Sequence, residues 1–163
     1  QDAWFNHLDI FVMIAMLPGG IFGKMCMTNN MSLLYFLEGT EPNINKLYIS
    51  DMWDMSDEEI EYTHDFIQWL FPTDTPSRYN SEAPVLNQED ITDIKKSNKA
   101  QTNLKFSANW FLNFLDRHSY WIDKRDHNQL RIKRIKKCLR LLIDINFSDK
   151  FLKQVNKLKE RKE

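Results

Sequence analysis

Hydrophobic and polar positions recur along this chain at helical rather than strand spacing. The clearest case lies between residues 56 and 71, SDEEIEYTHDFIQWLF. With successive residues turned about 100° apart, Trp69, Tyr62, Phe66, Leu70, Ile67, Ile60 and Phe71 share one broad arc. Asp57, Gln68, Glu61, Asp65 and Glu58 fill the narrow remainder, and His64 falls at its boundary. An apolar arc wider than half the circle belongs to a helix covered on several sides. Ser56 with Glu59 three residues later forms a capping box, and Asp57 and Glu58 suit the positive end of the helix dipole. Pro72 ends the run. The pattern predicts one continuous helix over 56–71 at the centre of a core.

The other segments follow from the same reading. Residues 8–17, LDIFVMIAML, are apolar and closed by Pro18-Gly19-Gly20. The uncharged stretch there runs 14 residues, from Ile10 to Gly23. That is short of the roughly 20 that cross a bilayer, so a buried or partner-covered helix is expected and no transmembrane span. Residues 31–37 are too short for periodicity to separate strand from helix; 38–43 read as a loop, and 47–53 as a helical turn or two. Three prolines make 71–84 an ordered loop, after which Asn87 caps a helix through Lys95. Leu104, Ala108, Phe111 and Leu115 keep helical spacing, with Trp110 and Phe114 widening the face. A polar connection over 123–126 leads to a helix starting near His127. A last amphipathic helix is expected from 148 to about 158, fading into a frayed charged tail.

The helix after His127 carries the most informative irregularity. Leu130, Ile132, Ile135, Leu139, Leu142 and Ile143 form its apolar side, opposite a solvated face of Lys133, Lys136, Lys137 and Arg140. Asn128, Arg131 and Arg134 fall inside the apolar sector. A buried guanidinium without a partner is very costly, so these arginines require carboxylates, carbonyls or a ligand.

Composition narrows the class. A chain of 163 residues, 42% hydrophobic and 28% charged, fits a single globular domain. Four glycines and five prolines are too few for the turns of a sandwich or barrel. The expected fold is therefore all-α: one compact multi-helix domain over 1–163, an orthogonal or irregular helical bundle. Charge is split along it: residues 1–90 hold 15 acids against 3 Lys/Arg, and 91–163 hold 8 against 19. The halves are expected to face each other within the domain, the other reading being a basic surface for an acidic partner. The lysine face has no aromatic stripe for base stacking, which makes nucleic acid a weak candidate partner. Cys26 and Cys138 are no disulfide framework and fit a reducing, intracellular compartment. Four scattered histidines, His7, His64, His118 and His127, lack metal-ligand spacing, so no metal and no cofactor are expected. No phosphate loop, dinucleotide fingerprint, zinc-protease motif or nucleophile elbow occurs, and Cys138 reads as an inert core thiol.

Three ordered blocks carry a family resemblance. Residues 63–72, THDFIQWLFP, resemble the hallmark segment of the opioid growth factor receptor conserved region. Residues 83–91, APVLNQEDI, and 126–142, DHNQLRIKRIKKCLRLL, resemble two further blocks of that family in the same order. The resemblance covers about 31–145, leaving 1–30 as an apolar N-terminal segment outside it and 146–163 as a C-terminal helix and charged tail. It implies an all-helical conserved domain, with Phe66, Ile67, Trp69, Leu70, Phe71 and Pro72 as its signature and core. Vertebrate members of the family are receptors for methionine-enkephalin, associated with the nucleus, and no catalytic residues carry over.

Pattern and resemblance meet at a polar cluster of His64, Asp65, Gln68, His127, Asn128, Arg131 and Arg134 between the two signature helices. Such a cluster either fixes the packing or lines a small pocket for a peptide or anion. The resulting expectation is a non-catalytic module that binds a peptide or protein partner. One alternative is an enzyme of unrecognised type using the His64/His127 neighbourhood; a converging pocket with both histidines and a carboxylate would favour it. A weaker alternative is nucleic-acid binding by the basic C-terminal half.

Overall fold

The computed structural model describes residues 29–162, so the apolar run 8–17 lies outside the described residues. Among these residues the structure is all-α, with no strand beyond one isolated bridge between Thr73 and Val85. Eight α-helices follow in order: α1 Asn29–Glu38, α2 Ile49–Trp53, α3 Asp57–Tyr62, α4 Phe66–Leu70, α5 Gln88–Lys96, α6 Asn98–Arg117, α7 Asn128–Leu142 and α8 Ile145–Lys162. No helix among them is long and apolar enough to cross a membrane. The ambiguous run 31–37 is helical and ends as glycine dictates. Gly39 takes φ +72°, while its N–H donates to Phe36 O and that of Thr40 to Tyr35 O, a Schellman closure. A Cβ there would sit 3.2 Å from Ile49 Cγ2, so the turn also needs the missing side chain for space.

The expected continuous helix over 56–71 is instead two short ones. It starts as predicted: Ser56 Oγ accepts from Glu59 N, and Glu59 Oε2 accepts from Ser56 N at 2.8 Å. It stops at Thr63, whose backbone is extended (φ −90°, ψ 130°), and resumes at Phe66. The break re-aims the second half. Phe66, Ile67, Trp69, Leu70 and Phe71 all enter the core, and Gln68 is buried with them, although one continuous wheel made it polar surface. Tyr62, placed on the apolar arc by that wheel, is 76% exposed. Periodicity tracks the angle between residues, and an extended residue resets it.

Long α6 and α7 form the frame on which the short helices rest. The core joins Phe36 and Leu37 of α1, Ile60, Phe66 and Leu70 of α3 and α4, and Phe111, Phe114 and Leu115 of α6. Ile135, Leu139 and Leu142 of α7 and Phe151 and Val155 of α8 complete it. Leu130 does not join its helix-mates; it is 54% exposed. Helix α8 starts earlier and ends later than expected. Asp144 Oδ1 accepts from Phe147 N and begins the helix, and Arg161 and Lys162 both bond Asp116 at the end of α6, so the charged tail is tied down.

The acidic and basic halves do meet across the fold, as in Asp74 with Lys137 and Asp57 with Arg117. Asp57, in the first turn of α3, also lies 2.7 Å from His118 Nε2. The Arg117 hydrogen bond, and after it that of His118, pulls the Asp57 carboxyl down to about 2. An unfolded Asp titrates near about 3.9, so the pairing stabilises the fold above that pH and is lost as pH falls towards about 2. Arg117 is half exposed, and solvent screening limits the effect to about 1 kcal/mol. Asp57→Asn is therefore expected to lower stability by about 1 kcal/mol at neutral pH. Urea unfolding across pH should show the two proteins converging as pH drops through about 4 to about 2.

Candidate functional site

Breaking the 56–71 segment frees backbone carbonyls that an unbroken helix would have used. Glu61 O and Thr63 O lose the i+4 donors of continuous helix and lie against the start of α7. Arg131 supplies donors: its Nη2 reaches Thr63 O at 2.8 Å and Glu61 O at 3.3 Å, and its Nη1 reaches Asn128 Oδ1 at 3.0 Å. The guanidinium carbon sits 5.2 Å above the Phe66 ring, a cation–π contact at the first residue of α4. Asn128, fully buried, in turn donates to Glu61 Oε2, which also accepts from Tyr120 O–H at 3.0 Å. Burial lowers the Arg131 guanidinium's hold on its proton, and the charges of Glu61 and Asp126 oppose that.

One turn further along α7, Arg134 donates from Nε to Phe71 O at 2.9 Å, just past the end of α4. Its environment differs from that of Arg131. Burial again weakens the cation, but no carboxylate opposes it. Its Nη2 is shielded from solvent and has no hydrogen-bond partner among the described residues.

Together α4, the loop 73–80 and α7 enclose a groove of about 900 Å³. Gln68 shapes the loop wall: its Nε2 donates to Ser77 Oγ at 3.2 Å and its Oε1 accepts from Asn80 Nδ2 at 2.7 Å. Lys137 ties the same loop to α7 through Asp74, at 2.6 Å, and Thr75. The lining mixes apolar side chains (Ile67, Pro76, Tyr79, Leu130) with Arg78, Arg131, Lys133, Arg134 and Lys137. His64, Asp65 and His127 complete its α4 end. The two imidazoles stand edge to face with centroids 5.8 Å apart.

A family model for the opioid growth factor receptor conserved region matches residues 26–119, more than half of the sequence. The chain belongs to that family. No curated protein and no solved structure matches it. In this member of the opioid growth factor receptor family the matched span holds α1 to α6 and the loop wall of the groove. The block 126–142, which forms the opposite wall, lies beyond the match.

Six of the seven residues expected to cluster line this one groove: His64, Asp65, Gln68, His127, Arg131 and Arg134. Asn128 sits beneath it. The expected bonding partners differ, however. His64, Asp65 and Gln68 do not bond the arginines; backbone carbonyls do, and Asp65 accepts instead from Asn45 Nδ2 at 3.0 Å. Two contributors had no sequence signal. Glu61, on what one wheel made solvated surface, is the acid at the hub, and Tyr79, in the loop, is 87% exposed over the groove. Glu61, Asp126 and His127 also bring one potential ligand atom each within 4.8 Å of one another, a three-donor set that could hold a cation. His127 Nε2 lies 3.3 Å from Glu61 Oε1 there. Their separation in sequence hides such a set from spacing rules.

Arg131 and Arg134 should respond differently to the same substitution. Arg131→Met strands two part-buried carbonyls and the buried Asn128, and is expected to cost about 3 kcal/mol in thermal or urea unfolding. Arg134→Met gives up one bond to a neutral acceptor while removing an uncompensated cation, and should shift stability by less than about 1 kcal/mol.

Proposed function

We propose that this domain is a non-catalytic binding module that receives a peptide or protein segment in the groove between α4, the loop 73–80 and α7. The observation that carries the reading is the exposure of Tyr79 and Leu130, 87% and 54%, on opposite walls of one cavity whose lining mixes apolar, neutral polar and cationic side chains. Exposed apolar side chains scattered singly mean little, but a facing pair inside a groove gives a partner side chain something to bury against. The volume is in the range of ligand sites, and fixed walls reduce the ordering cost of binding. Family membership supports the same reading through the peptide receptors among its vertebrate members.

A second reading has its own observation: both histidines and Asp65 converge in the same groove, with Glu61 behind His127. Acid–base chemistry needs such groups close to a reacting atom. Against it, no hydroxyl or thiol among the described residues hydrogen-bonds to His64 or His127. Cys138 is fully buried, with its thiol pushed far up by desolvation. Binding without turnover remains the better-supported function.

The test uses a pool of short peptides mixed in charge and apolar content, followed by chemical-shift mapping on the labelled domain. Shifts should concentrate at Ile67, Tyr79 and Leu130. Leu130→Asp should weaken any bound peptide by about tenfold or more while leaving the melting temperature nearly unchanged, because the side chain is exposed. Peptide binding that ignores Leu130→Asp, or shifts confined to another face, would sink the groove as the binding site. Peptide cleavage abolished by His64→Ala with His127→Ala would favour the catalytic reading instead.

A further inference from the structure

Among the described residues, the cations of the groove are not all answered. Lys137 has Asp74, and Arg131 has Asn128, two carbonyls and the charges of Glu61 and Asp126. Arg134 has a single neutral acceptor, Phe71 O, with its Nη2 shielded and unpartnered. Arg78 on the loop wall and Lys133 on α7 have no carboxylate partner among the described residues. Among the described residues Asp65 is the one acid lining the groove, and its carboxylate already accepts from Asn45. A partly desolvated cation without a counter-charge opposes folding, so its place in the wall of an open cavity calls for an anion from outside.

We infer that the groove selects an acidic peptide segment, whose carboxylates meet Arg134 in the groove wall and Arg78 and Lys133 beside it while its apolar side chains pack on Tyr79 and Leu130. This rests on the binding-module reading and names the chemistry of its partner. The unanswered cations sit on two walls of a cavity of about 900 Å³, a spread that suits several separate carboxylates better than one phosphate. The anion already seated on a groove cation, Asp74 on Lys137, is itself a carboxylate. A planar guanidinium edge matches a planar carboxylate, and the excess of positive charge would speed encounter with an acidic chain.

Three fluorescent probes of equal length test this by anisotropy: a peptide alternating Glu with Leu and Phe, the same peptide with Gln for Glu, and the Gln peptide with one phosphoserine. The Glu peptide should bind, and the Gln peptide about tenfold more weakly or worse. Added salt should weaken the Glu peptide and leave the Gln peptide almost unchanged. Arg78→Gln combined with Lys133→Gln changes only exposed, unpaired side chains and should weaken the Glu peptide about tenfold without moving the melting temperature. Arg134→Met should do the same while remaining folded. Equal binding of Glu and Gln peptides would leave a peptide site standing and overturn its acidic preference. So would a phosphoserine peptide that binds more tightly than the Glu peptide, or variants that bind like the parent. Binding of none of the three would overturn the module reading and this inference together.

Discussion

Arg131 seated against the carbonyls of Thr63 and Glu61 is the contact from which the rest of this structure follows. A helix broken at one residue exposes carbonyls that water would ordinarily satisfy, and here they face the N-terminal turn of α7 instead. A guanidinium offers five donors in a fixed plane, so one side chain can answer both carbonyls and still bond Asn128. That geometry fixes the break, sets α4 against α7, and places Phe66 under the cation. Because α4 and α7 are held at the Arg131 end and again at Phe71 by Arg134, the space beside them stays open as a groove rather than collapsing into core.

The same solution recurs wherever a helix ends inside the domain. Asn103 Nδ2 of α6 donates to Leu37 O at the end of α1, and Gln101 Nε2 donates to both Ile94 O and Leu142 O, near the ends of α5 and at the end of α7. Trp121 Nε1 answers Leu115 O and His118 O where α6 finishes. Trp110 Nε1 of α6 donates to Trp53 O at the end of α2. Short helices multiply unsatisfied carbonyls, and amide, indole and guanidinium donors on long α6 and α7 absorb several of them. The chain therefore needs polar side chains at core positions, and their presence there is structural before it is functional.

This explains what the sequence could and could not disclose. The all-α class, the capping box at Ser56, the N-cap at Asn87, and the inward pointing of Asn128 and Arg131 are local or periodic properties, legible in a single sequence. The break at Thr63 was invisible because its cause lies far along the chain, in Arg131; periodicity counts on through an interruption that only tertiary contacts sustain. Glu61 was misread for that reason, and so were Gln68 and Tyr62, whose predicted faces depended on an unbroken wheel. Leu130 was read as core because its spacing is that of its buried neighbours, yet among the described residues nothing covers that turn of α7 and it becomes groove wall. The blocks 63–72 and 126–142 both flank the cavity, but a sequence block does not say which of its residues hold the fold and which face outward.

The two arginines give that distinction physical form. They sit three residues apart on one helix face, both donate to carbonyls beside α4, and both are weakened by burial. Arg131 makes three hydrogen bonds and has two acids within its field, which is the arrangement of a group kept for packing specificity. Among the described residues, Arg134 bears the same desolvation with one neutral acceptor and no acid, in the wall of a cavity that also holds Arg78 and Lys133 without a carboxylate partner. A residue whose interactions within the fold do not offset its burial is better explained by something the fold does not contain. On the binding-module reading proposed above, the cluster divides between its two arginines: Asn128 and Arg131 are spent on the fold, and Arg134, one turn beyond, is the one left for a ligand.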